Sequence, residues 1–180
     1  MKVTFADQRP QGSYALAIPV RGEDMLNDRL AGLDEAARRL AARSAEAQRF
    51  EREAGAVAEA FVQDGDQVRR VLLVGLGSQR DEPNVYEKAG GALTSRLLLS
   101  GETRLVVDLT GFGTDSEAAA RDPLRDVRAA AQVILELARV HGLGFRARHG
   151  GVETREHGLT HEKLLVEIHR RAPFESFSAH

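Results

Sequence analysis

The sequence predicts an α/β domain, and three observations carry that prediction. Val71-Leu72-Leu73-Val74-Gly75-Leu76-Gly77 is a near-continuous apolar run of the kind that forms a central strand covered on both faces. Behind Pro83, Val85, Ala89, Ala92, Leu93 and Leu97 recur at helical spacing up to Gly101, a residue suited to the left-handed stop of a helix. Leu105-Val106-Val107-Asp108-Leu109 then repeats the strand signal. Strand, helix and strand in this succession form a crossover unit, which sets its two strands parallel.

The remaining elements follow in chain order. Val3 to Ala6 and Tyr14 to Val20 read as strands separated by the turn-forming Arg9-Pro10-Gln11-Gly12-Ser13. Ala36, Ala37, Leu40, Ala41, Ser44 and Ala47 recur every three or four residues with Arg38, Arg39, Arg43 and Glu46 between them, so an amphipathic helix is expected from Asp34 onward. Ala54 to Val62 stays open: its alanines favour helix, whereas Gly55 and Asp64-Gly65-Asp66 favour a short strand between turns. Past Leu109, Pro123 interrupts the start that Ser116 would cap, and Asp126, Val127, Ala130, Ala131, Ile134, Leu137 and Ala138 predict a further helix ending at His141-Gly142.

All six histidines lie from His141 onward, which marks a break in composition. Gly142, Gly144, Gly150 and Gly151 predict a loop, followed by one short helix over residues 160–170 with Leu164, Leu165 and Ile168 on a face. Residues 172–180 read as a frayed end, and the stretch after Gly142 as largely mobile.

With 180 residues, 42% apolar and 29% charged, the chain is long enough to bury a core. Its formal charge of −2 gives no global basic footprint, which speaks against DNA as a partner. Arginine outnumbers lysine 22 to 3, a bias that fits a GC-rich coding sequence as readily as nucleic-acid binding. The absence of cysteine removes disulfides, thiolate metal sites and thiol nucleophiles. Asp7, Arg9 and Pro10 interrupt the stretch where an export signal needs unbroken apolar residues, and no apolar run reaches the roughly 18 residues of a membrane span. A cytoplasmic protein without membrane association is expected.

Several strings in succession resemble one family. They are Ala15-Leu-Ala-Ile-Pro-Val20, Ala47-Gln-Arg-Phe-Glu-Arg-Glu-Ala-Gly55, Arg70-Val-Leu-Leu-Val-Gly-Leu-Gly77, and Glu87-Lys-Ala-Gly-Gly-Ala-Leu93 followed by Ser100-Gly101. Together they are similar to the non-catalytic N-terminal domain of the leucine aminopeptidases, also called cytosol aminopeptidases. The resemblance covers residues 1–120 and implies a macro-domain-like, three-layer fold, a mixed sheet flanked by helices. An extra helix over 121–141 and a divergent tail over 142–180 lie beyond it.

In that family a separate C-terminal domain performs catalysis with two divalent metals, held by a lysine and by acidic residues that include an Asn-Thr-Asp-Ala-Glu-Gly-Arg motif. No such string occurs here, so no catalytic, cofactor-binding or metal residue is assigned to any position of this chain. The resemblance implies a protein inactive on its own, able to associate with itself or with a full-length aminopeptidase. A truncated gene product is the favoured expectation, with a stand-alone regulatory relative and a sequence joined to another segment as the other two.

Four groups of residues merit weighing for chemistry of their own. Gly75 and Gly77 after a strong strand would let backbone amides approach a phosphate, but Arg80 stands where a dinucleotide fingerprint needs its third glycine, so a tight turn is expected. Gly111-Phe112-Gly113 is read in the same way. The alternative is a macro-like module that binds a nucleotide such as ADP-ribose at the Gly75 and Gly111 loops. His157 and His161, with Glu153, Glu156 and Glu162 nearby, have metal-binding spacing, yet Gly158 undermines the helix and Leu165 replaces the second histidine of a zincin motif. Asp108 with Ser78, Ser95 and Ser100 lacks any nucleophile elbow. Arg69-Arg70 and Arg38-Arg39-Arg43 are expected to be solvated or paired locally.

Overall fold

The computed structural model describes residues 2–6, 8–78, 84–98, 100–110 and 165–169. In chain order the elements are strand β1 (Lys2–Ala6), strand β2 (Ala15–Val20), the short helix α1 (Leu26–Arg29), helix α2 (Glu35–Ala47), strands β3 (Val57–Asp64) and β4 (Gln67–Gly75), helix α3 (Val85–Leu98), and strands β5 (Arg104–Asp108) and β6 (Leu165–His169). They build one mixed six-stranded sheet in the order β1-β6-β5-β2-β4-β3. β2 runs parallel to both β4 and β5, so the predicted crossover is present with β2 lying between its two strands. β3 is antiparallel to β4, and β6 is antiparallel to both β5 and β1.

Alternation along the strands divides the core into two halves. Ala15, Ala17, Leu72, Val74, Leu105 and Val107 face Val85, Ala89 and Leu93 of α3. Leu16, Ile18, Val20, Val71, Leu73 and Val106 face Leu30, Leu33, Ala37, Ala41 and Ala45 on the other side. Helices therefore cover both faces, giving the expected three layers, and this is why the β2 and β4 sequences are apolar at nearly every position rather than alternating. Burying each large aliphatic side chain contributes about 1.5–3 kcal/mol relative to leaving it in water.

Local chemistry agrees with the packing. Asp34 caps α2, its Oδ1 accepting from Ala37 N at 2.8 Å, and the helix buries an alanine stripe against the sheet. The segment that sequence left open is a strand, because β3 pairs residue by residue with β4 from Val57–Val74 to Asp64–Gln67. Its Ala58, Ala60 and Val62 are buried on the α2 side. Pairing and burial override the helix preference of alanine, and Gly65 at φ 62° supplies the hairpin turn.

One expectation is corrected. Residues 165–169 are not part of a helix over 160–170; they form β6, seated between β1 and β5. The period of the segment is two, not 3.6: the register sets Val166 beside Val107 and Phe5, and Ile168 beside Leu105 and Val3. A ladder on both sides satisfies backbone groups that an isolated short helix would leave partly unpaired. The late chain thus contributes a strand to the domain that was expected to end at residue 120. The helix expected over 121–141, the loop after it and the frayed end lie outside the described residues.

Because β6 has neighbours on both sides, its inward amides should exchange slowly. Hydrogen exchange resolved to Val166–Ile168 is expected to show protection comparable to that of β5, and exchange at the rate of an unstructured peptide would show that this strand is not seated.

Candidate functional site

In open α/β sheets ligands gather at the C-terminal ends of parallel strands, where the helices that follow two neighbouring strands depart to opposite faces. That point falls between β2 and β4, since the helices after β2 pack on one face and α3 on the other. Here the rim is made of Val20 to Gly22, Gly75 to Gly77 and Asp108 to Thr110.

The glycine turn is closed by the protein itself. Gly75 N donates to Ala56 O at 2.8 Å, Leu76 N to Val20 O at 2.9 Å, and Gly77 N to Arg52 O at 2.8 Å. Gly22 N in turn donates to Gly77 O at 2.9 Å. Arg52, itself in the left-handed region at φ 63°, sends Nη1 to the carbonyls of Gly22 and Asp24, both at 3.0 Å. A Cβ on Gly75 would lie 2.1 Å from Glu53 O, so glycine is required because the 52–55 backbone lies directly against it. All three amides that an anion would need are already donating, and the expected tight turn is what the structure contains. Gly111-Phe112-Gly113 lies outside the described residues.

Beside this turn lies a constellation that sequence reasoning missed. Pro19 stands in a central, fully buried strand and has no N–H to give the ladder. Val20 O faces β4, so the alternation of a strand turns the Pro19 carbonyl toward β5, whose ladder with β2 ends at Ala17–Val107. Arg29 fills the gap. Its Nε donates to Pro19 O at 2.9 Å, Nη2 to Asp108 O at 3.2 Å, and Nη1 to Thr110 O. Burial holds its pKa below the ordinary guanidinium value, opposed by the charges of Asp24, 3.8 Å away, and Asp108. Asp108 is likewise engaged: Oδ2 accepts from Arg9 Nη2 at 2.6 Å and Oδ1 from Thr110 N at 2.9 Å. The clue in the sequence was Pro19 itself, a break in a central ladder that requires an outside donor.

The other candidate residues have local partners. Ser95 Oγ donates to Gly91 O and Ser100 Oγ to Leu97 O, both within the α3 region, so neither meets Asp108. Arg39 pairs with Glu35 on the surface of α2, and Arg38 donates to Leu33 O. Arg69 is buried over the Tyr14 ring at 3.6 Å, ion-paired with Asp64, while Arg70 pairs with Glu59 at 2.6 Å. These arginines are partnered within the domain, as expected. His157, His161 and their neighbouring glutamates lie outside the described residues. Among the described residues no group of three or more His, Asp or Glu is placed to hold a metal ion, and no helix is long and apolar enough to cross a membrane.

Fold and rim together define a three-layer α/β domain whose strand ends are closed by its own chain. The particular family follows from comparison with known proteins: the chain belongs to the cytosol aminopeptidase family, whose N-terminal domain matches residues 17–138, more than half of the sequence. The match extends past residue 120, into the stretch set apart above as an extra helix. No curated protein and no solved structure matches the chain.

Two predictions follow from these contacts. Arg29→Met leaves the Pro19, Asp108 and Thr110 carbonyls without their donor and is expected to destabilise the domain by about 3 kcal/mol in urea unfolding. Arg29→Lys should recover little of that loss, because an ammonium cannot span three carbonyls, and full recovery would refute the bridging role. Burial raises the Tyr14 pKa above 10.0 against the opposing charge of Arg69. The folded state therefore holds this proton more tightly than the unfolded chain, and stability is retained below pH 10 and falls as pH rises through the folded value. Tyr14→Phe should flatten that alkaline decline, and an unchanged pH profile would assign the decline to other groups.

Proposed function

We propose that this chain acts as the non-catalytic N-terminal module of a leucyl-aminopeptidase-type protein and is inactive as a peptidase on its own. The single observation that carries this reading is the family match over residues 17–138, a match to the N-terminal domain alone. It is supported by the sequence, in which the acidic motif of the catalytic half does not occur. No step of peptide hydrolysis is routed through these residues. What they do is structural: Arg29, Arg52 and Arg9 fix the strand ends and the loops that leave them.

Within this proposal the module is cytoplasmic and works by association, either with a second copy of itself or with a full-length aminopeptidase. The test is direct. Purified protein incubated with leucine p-nitroanilide and manganese is expected to release no p-nitroaniline above the buffer rate, and turnover that a chelator abolishes would overturn the inactive reading.

A further inference from the structure

The strand ends are closed in two ways, and one closure is made by a single side chain. The turn after β4 is closed backbone to backbone, with Gly75, Leu76 and Gly77 all donating to other main-chain carbonyls. Asp108, at the end of β5, is closed from outside. Its side chain is only 8% exposed. Thr110 N, donating to Oδ1 at 2.9 Å, fixes the direction of the carboxylate, and Oδ2 accepts from Arg9 Nη2 at 2.6 Å. The second terminal nitrogen of the same guanidinium, Arg9 Nη1, donates to Gly32 O at 2.9 Å. One planar fork is thus received by two acceptors, a carboxylate on β5 and a carbonyl in the loop after α1. A buried carboxylate needs such a cation, since removing one partner of a buried pair leaves an uncompensated charge.

The place is shaped for that fork. A Cβ on Gly32 would stand 2.5 Å from Arg9 Nη2 and 3.4 Å from Arg9 Cζ, so the missing side chain at residue 32 is what leaves room for the guanidinium. The site is also reached from solvent. Gly32 is exposed, Arg9 keeps 21% of its side-chain surface, and Gln8, Gln11, Gly12 and Ser13 beside it are exposed. The loop that carries Arg9 has other fastenings: Arg104 Nη1 donates to Gln11 O at 2.8 Å and Arg69 Nη1 to Gly12 O at 3.3 Å. Arg9 can therefore leave Asp108 by side-chain rotation while residues 11 and 12 stay in place.

We propose that Asp108 Oδ2 and Gly32 O form a binding site for an arginine side chain of a partner polypeptide, which Arg9 occupies in cis as a latch. The chemistry of the acceptors selects this ligand. A guanidinium reaches both oxygens at once with two nitrogens of one plane, whereas an ammonium is a point donor on a flexible stem and an anion is repelled by Asp108. The position agrees, because Asp108 lies at the C-terminal end of a parallel strand, where α/β sheets receive ligands. Arg9, only two residues from the fastened Gln11, competes at an effective concentration on the order of millimolar or above. An incoming arginine therefore displaces it when the partner adds contacts of its own or draws the latch away. This inference stands on the contacts of Arg9 and does not depend on the module being inactive.

The test uses the full chain carrying Arg9→Ala, with N-acetyl-arginine amide as the probe and N-acetyl-lysine amide at equal concentration and ionic strength as the comparison. Arg9→Ala should melt below the parent, and the arginine probe should raise its melting temperature saturably, since a ligand held by the folded state alone stabilises it by mass action. In amide NMR spectra the Thr110 signal should shift with the same saturation, because its N–H is bonded to the Asp108 carboxylate. The parent, whose site is filled, should need about tenfold more probe for the same shift. Adding Gly32→Ala to Arg9→Ala should abolish both responses, because the new methyl stands where the fork must lie. If Arg9→Ala does not fold, the parent decides alone, through a Thr110 shift at high arginine probe that Gly32→Ala removes. No response at the highest soluble concentration of the arginine probe, or an equal response to the lysine probe, would overturn the proposal. Specific arginine binding by a protein that nevertheless hydrolyses leucine p-nitroanilide would uphold the site and refute the inactive reading alone.

Discussion

The rest of the domain depends on how β2 is held at Pro19. All six residues of β2 are buried, and both halves of the core are built on its two faces. Yet proline at this position interrupts the ladder toward β5 just where the strands end. A buried guanidinium resolves the conflict by donating in three directions to the carbonyls of β2, β5 and the loop beyond. Because Arg29 is the last residue of α1, the same contacts fix that short helix, and with it the entry of Leu30 and Leu33 into the core. A four-residue helix would not hold its place through its own hydrogen bonds.

Arginine is abundant in this chain, and the structure shows what the described ones do. Arg52 ties the 48–55 loop to Gly22 and Asp24, Arg69 lies buried against Tyr14 and Asp64, and Arg70 crosses to Glu59. Guanidinium suits these roles because its planar fork of donors reaches carbonyls and carboxylates on separate elements at once. The result is a polar frame around an aliphatic core. Among the described residues Arg9, Arg69 and Arg70 are each matched by an acid of the domain, Asp108, Asp64 and Glu59.

A closed rim changes where interactions with other molecules would occur. The turn after β4 has the glycines of a phosphate cradle, but its amides are used to join β2, β4 and the loop before β3. Membership in the cytosol aminopeptidase family, through its N-terminal domain, fits a module whose strand ends are occupied by its own chain. The backbone donors and acceptors still directed outward on β3 lie one strand beyond that crevice, at the edge of the sheet past β4.

The sequence by itself determined the elements whose signal is local. The apolar runs of β2, β4 and β5, the Asp34 cap and alanine stripe of α2, and the α3 pattern closed by Gly101 are all legible from residue type and spacing. The family was legible too, from strings within β2, β4 and α3. What only the tertiary structure decided rests on contacts between residues far apart in the chain. The Ala54 to Val62 stretch became a strand because β4 offered it a register, and Leu165–His169 did so because a slot stood open between β1 and β5. Arg29 became a bridge because folding set Pro19 beside Asp108, 89 positions away by the sequence numbering. Periodicity reports which face of a segment is apolar; it carries no record of which distant backbone groups lack a partner, and here those groups decided the remaining structure.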